Sequence, residues 1–197
     1  MPIIAKSNGS GSSVSAGAHI AVCARVIDIG DQFSQMYGKT QRKVIISWEI
    51  PDETVSIEGR DLPKMISKEY SLSLGDKATL RADLESWRGR AFSAEELKGF
   101  DLHNILSKPC QLQVIHNDNG RAKISAIMSM PKGSTAPAVV SLPLYFDLSD
   151  KTCLVNMKEL PDWVCEKIKA SPQYKDLMTG TSDTSDIYSP DDGELPF

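Results

Sequence analysis

The feature that most constrains this chain is a series of short, alternating, Val- and Ile-rich runs, broken once by a helical period. His19 to Ile29 alternates and predicts a first strand. Arg42 to Ile50 predicts a second, stopped by Pro51, and Lys68 to Leu74 a third around Tyr70, Leu72 and Leu74. The period then changes. Leu80, Leu84 and Trp87 fall at i, i+4 and i+7, which predicts a helix over Asp76 to Arg88 with Gly89 as its stop. Ser93 followed by Glu96 forms a capping box and predicts a second, short helix. Pro109 to His116 and Arg121 to Met130 predict a fourth and a fifth strand, joined by the turn Asn117 to Gly120.

This order predicts a mainly β chain. Five strands with a helix between the third and fourth is the order of the OB-fold, a small Greek-key barrel. Gly30 to Gln41 reads as a polar loop, Pro51 to Lys64 as an irregular connection, and Pro131 to Pro143 as a Pro/Ala/Ser connection. Pro161 to Ala170 reads as a short helix with Pro at its first position. Past Ser171 apolar residues thin out and acids gather, which predicts disorder. The expected organisation is a flexible leader over 1–17, an OB-fold domain over 18–131, a C-terminal extension with a short helix over 132–175, and a disordered acidic tail over 176–197.

Several classes are disfavoured. No apolar run approaches the length of a membrane span, and the Gly/Ser-rich start resembles neither a signal nor a transit peptide, so a cytoplasmic protein is expected. Cys23, Cys110, Cys153 and Cys165 form no C-x-x-C pair, and the three histidines are not spaced to complete a zinc site. Reduced, buried cysteine is the expectation, with no metal and no cofactor. Gly38-Lys39-Thr40 has Phe33 where a phosphate loop needs its first glycine, which argues against nucleotide hydrolysis. No catalytic residues are expected.

The net charge of −4 hides an asymmetry. From Asp176 onward there are six acids and no Lys or Arg; without them, 22 basic residues face 20 acidic ones, a body of +2. A mildly basic body with an acidic tail is common among nucleic-acid-binding proteins. An OB-fold binds oligonucleotides across strands two and three and in the loops joining strands one to two and four to five. That geometry selects Phe33, Tyr37, Lys39, Arg42 and Lys43 in and after the first loop, Tyr70 on the third strand, and Arg121 and Lys123 after the hairpin turn. Flat rings can stack on bases and cations can pair with phosphates. Tyr70 also suits a barrel core, Trp48 shares the parity of Val44 and Ile46 and reads as core, and Trp87 belongs to the helix's apolar stripe.

The tail ends in Asp191-Asp192-Gly193-Glu194-Leu195-Pro196-Phe197. Acids followed by Leu-Pro-Phe suit a docking peptide whose ring fills a pocket while the acids follow a basic ridge. This terminus resembles the acidic tip of bacterial single-stranded DNA-binding proteins, although Gly193 and Glu194 depart from a pure Asp run. The body, over about Gly17 to Pro131, resembles a family of bacteriophage single-stranded DNA-binding proteins with an OB-fold. The stretches that carry this are Phe33 through Gly38-Lys39, Lys43 to Glu49, Tyr70 to Leu74, Leu84 to Gly89, and Gly99 to Leu102. The resemblance implies a non-enzymatic protein that coats single-stranded DNA in phage replication or recombination and recruits replication and repair proteins through its tip. Association into a homo-oligomer is left open. A protein–protein adaptor without nucleic acid, and an annealing protein or nuclease, are the competing readings.

Overall fold

The computed structural model describes residues 13–35, 38–57 and 59–179. The fold is mainly β: one six-stranded sheet with helices on both sides. Its strands are β1 (Gly17–Ser34), β2 (Lys39–Ile57), β3 (Arg60–Ser71), β4 (Pro109–His116), β5 (Ala122–Met128) and β6 (Leu144–Phe146). The main path runs β3-β2-β1-β4-β5, with antiparallel ladders throughout, and β6 adds a short parallel ladder beside β1. The hydrogen-bonded path is not closed. Helix α1 (Thr79–Arg88) packs against its two end strands, β5 and β3.

β1 is buried on both faces, which explains its nearly unbroken apolar run. A bulge between Cys23 and Arg25 resets its alternation. Ala21, Cys23 and Val26 consequently join the inner core with Val44, Ile46, Trp48 and the Leu80, Leu84, Trp87 stripe of α1. Ile27 and Ile29 face outward with Ile45, into a second core completed by β6, a 3-10 helix (Lys151–Glu159), and α3 (Asp162–Ala170). Gly30 has φ of 69°, and a Cβ there would come within 2.6 Å of the Ser171 side chain, so both backbone and space require glycine. The chain leaving α3 packs against this point before α4 (Pro172–Thr179).

Several boundaries differ from expectation. Pro51 does not end the second strand. It lies in a register shift between Ile50 and Thr54, where its missing N–H breaks no ladder bond. The expected irregular connection is largely a hairpin turning at Gly59, and β3 ends at Ser71. β6, the 3-10 helix and α4 were not expected. α4 runs through Asp176 to Thr179, past the start assigned to the tail. The capping box at Ser93 forms as read, opening α2 (Ala94–Lys98), and Gly89 ends α1 in the left-handed conformation. No described helix is long and apolar enough to cross a membrane.

Two carboxylates, one buried and one half-buried, tie down irregular segments. Glu49, fully buried, accepts hydrogen bonds from the backbone N–H groups of Val140 and Ser141 and so fixes the connection that delivers β6. Glu53 accepts from Lys64 at 2.8 Å and from the backbone and hydroxyl of Ser15. Burial pushes the Glu53 carboxyl up, but these bonds outweigh it and hold it at about 2. Beside Ser15, Val14 is buried in the inner core, so the end of the expected leader is anchored.

Because Glu53 titrates near 4.5 when unfolded and about 2 when folded, its contribution is complete above the unfolded value and is lost as pH falls toward 2. Glu53→Gln should therefore cost about 1–3 kcal/mol at neutral pH. Denaturant titrations of both proteins at pH 7 and near pH 2 should show that difference shrinking as the pH is lowered.

Candidate nucleic-acid interface

Strand alternation decides which cations can act together, and it divides the sequence-selected set. Residues paired across an antiparallel ladder share a face. On the outward face, Arg25 pairs with Ser47 and Ser47 with Ser67; Ile27 with Ile45 and Ile45 with Glu69; Gly30 with Lys43 and Lys43 with Ser71. Lys39 and Gln41 continue the Lys43 column on β2. Phe33, paired with Thr40, and Arg42 lie on the opposite face.

Arg42 is consequently in the wrong company for a phosphate. Its guanidinium donates to Asp28 at 2.5 and 3.3 Å. A cleft of about 320 Å³ beside it is lined by Asp28, Asp101 and Asp147 together with Phe100 and Tyr145. The hydrogen bond it donates to Asp28, and then the charges of Asp28, Asp147 and Asp31, raise its affinity for its proton further. Phe33 is 65% exposed near the end of β1. Tyr37 lies outside the described residues, as do Asp191, Asp192, Glu194, Leu195, Pro196 and Phe197 of the tail.

Tyr70 requires a correction: it is a core residue, although it also lines the cleft between β2–β3 and the loop entering α1. It is 3% exposed, and its hydroxyl donates to Asp83 at 2.8 Å. Burial, followed by the Asp83 charge, pushes the phenol well above its ordinary value. Parity explains the placement, because Tyr70 pairs with Val44 on the inner face.

One cleft lies on the outward face, and a second wraps the β3 edge, where outward-facing Lys39, Lys43 and Glu69 meet inward-facing Lys68 and Tyr70. The first, about 700 Å³, has Ser47, Ser67 and Met65 from β2 and β3, Arg25 from β1, the Asn119–Arg121 turn, and Pro161 and Trp163 at the start of α3. Among the described residues, no acidic side chain lines it. Trp163 is 48% exposed. Arg25 Nη1 donates to the Glu159 carbonyl at 3.1 Å, and its buried Nε has no partner. Arg121, after the β4–β5 turn, lines this cleft, whereas Lys123, exposed on β5, lines neither this cleft nor the second.

The second cleft, about 870 Å³, lies between β2–β3 and the loop entering α1. Lys39, Lys43, Lys68 and Lys77 line it against Glu69 and Asp76. Lys68 is held by Asp83 at 2.6 Å and Lys43 by Glu69 at 2.6 Å. Lys39 and Lys77 have no ion-pair partner among the described residues. The clefts abut along β3, where Ser67 belongs to one and Lys68 and Glu69 to the other.

Arg25, Trp163 and Lys77 were not singled out from the sequence. Trp163 had a readable signal: Val164 and Ile168 set the buried stripe of α3, and the tryptophan lies off it. Arg25 had none, because the bulge that turns it outward is not encoded in the alternation. Among the described residues no group of three or more His, Cys, Asp or Glu is placed to hold a metal. Burial pushes the Cys23 thiol up to about 12 and Cys153 to about 11, which leaves both unreactive at neutral pH. No family model and no curated protein matches the chain.

Since its hydroxyl serves Asp83 and not a ligand, Tyr70→Phe should cost about 0.5–1.5 kcal/mol of stability. It should leave oligonucleotide affinity within twofold, which a denaturant titration paired with fluorescence anisotropy will check.

Proposed function

We propose that this chain binds single-stranded DNA without sequence specificity, along the outward face of β2 and β3. The observation that carries this reading is the acid-free cleft with Arg25, Arg121 and the exposed Trp163, continued along β3 by a cleft lined with four lysines. Backbone phosphates need cations in a row, and unpaired bases need a flat ring. Ser47 and Ser67 hydroxyls, Met65 and Trp163 form a surface that any base can meet, since every base has a π face. A duplex hides those faces, so single strands are favoured.

The strand path β3-β2-β1-β4-β5, with a helix between the third and fourth strands packed at the unclosed seam, supports an OB-fold reading. On that reading β6, α3 and α4 form an added layer that supplies Trp163. The sequence resemblance supports duty as a coating protein in bacteriophage replication or recombination, in the host cytoplasm and without catalysis. The acidic tail, ending in Leu195-Pro196-Phe197, then serves as the peptide that replication and repair proteins capture.

Titration of fluorescent oligo-dT, matched duplex and RNA at several salt concentrations tests the reading. Single-stranded DNA should bind far better than duplex, with log affinity falling by about 0.7 per phosphate neutralised for each tenfold rise in salt. Equal affinity for duplex would sink it. Trp163→Ala should lose roughly 1–3 kcal/mol of binding, and Arg121→Ala should reduce the salt slope by about 0.7.

The tail has its own test. Phe197→Ala should leave oligonucleotide affinity unchanged while abolishing capture of tip-binding replication proteins in a pull-down. Loss of DNA binding with partners retained would reverse these assignments.

A further inference from the structure

Glu69 lines the lysine cleft at the end where β3 passes from one cleft to the other. Glu69 stands on the outward face in the row between Ser67 and Ser71, beside the apolar Ile27–Ile45 pair that α3 covers. Its Oε1 accepts from Lys43 Nζ at 2.6 Å, and its Oε2 accepts from Lys167 Nζ at 2.5 Å. One lysine comes from β2 and the other from α3, so the carboxylate is clamped between layers. Both ammonium groups reach the surface, with side chains 22% and 39% exposed.

Two anionic oxygens, each held by a different lysine, reproduce what a phosphodiester presents through its two non-bridging oxygens. Burial pushes the Glu69 carboxyl up, but the bonds from Lys167 and Lys43 hold it below the usual carboxylate range. It therefore keeps its charge at neutral pH. Cations flank this position on both sides, Arg25 and Arg121 in one cleft and Lys39 and Lys77 in the other.

We propose that Glu69 is an internal phosphate mimic occupying the central phosphate subsite of the interface. It rests on the single-strand reading above. A backbone phosphate displaces the carboxylate, takes over Lys43 and Lys167, and joins the two clefts into one track. The carboxylate swings toward solvent, which its position at the rim allows. Glu69 thereby lowers affinity and makes the protein readily removable, while keeping two lysines extended at the spacing a phosphate needs.

Three variants read this out by oligo-dT anisotropy over a salt series. Glu69→Gln should bind at least about fivefold tighter near physiological salt, because a like charge beside the phosphate is gone. Its salt slope should match the parent, since the same lysines meet phosphate in both complexes. Lys43→Ala and Lys167→Ala should each lower the slope by about 0.7, with Glu69 present or changed to Gln. A strut that merely fastens α3 to the sheet would give a different result. Glu69→Gln would then gain no affinity, and Lys167→Ala would leave the slope unchanged; either outcome overturns the proposal. If Glu69→Gln fails to fold, the Lys167→Ala slope alone decides. Failure of the parent protein to bind oligo-dT would instead refute the single-strand reading itself.

Discussion

Everything in this fold depends on β1 having both edges and both faces occupied. One edge pairs with β2 along most of the strand. The other is divided: Gly17 to Val22 pairs with β4, and Arg25 to Ile27 with β6. The bulge between Cys23 and Arg25 falls where the second edge changes partner. The same bulge rotates the strand so that Cys23 and Val26 enter one core while Ile27 and Ile29 enter the other. Around Val22 to Ile27 both edges carry a ladder, so the sequence there can be apolar without inviting aggregation.

The elements legible in the sequence were those whose signals are local. Alternation marked five strands, the helical stripe of Leu80, Leu84 and Trp87 marked α1, and Ser93 with Glu96 marked a cap. What escaped was set by distant partners. β6 is three residues long and exists because Glu49 holds the backbone before it and β1 offers a free edge. β2 passes Pro51 because β3 tolerates a register shift there, which no local rule announces. At the interface the residue types were legible but not their faces. Lys39, Lys43 and Arg121 lie on the outward face or its rim, while Tyr70 and Arg42 differ from them by parity alone.

Charge is organised by surface and not by total. The outward cleft and the one at the β3 edge gather Arg25, Arg121 and four lysines against Glu69 and Asp76, whereas the cleft beside Arg42 gathers three aspartates. On the proposed single-strand reading, this division would orient an approaching polyanion before contact. The chain's net negative charge does not oppose this, because screening confines each field to roughly 8–10 Å at ordinary ionic strength.

The placement of the outer core has a consequence for biosynthesis. Ile27, Ile29 and Ile45 leave the ribosome early, but Leu144, Phe146, Val164 and Ile168, which cover them, come about a hundred residues or more later. At about 5–20 residues per second, that apolar face stays open for roughly five to twenty seconds on every nascent chain. The inner core closes first, with Ile127 as its last buried member, so a sheet can form around an uncovered flank. During that window the flank is exposed apolar surface of the kind that makes a partly folded chain prone to aggregate.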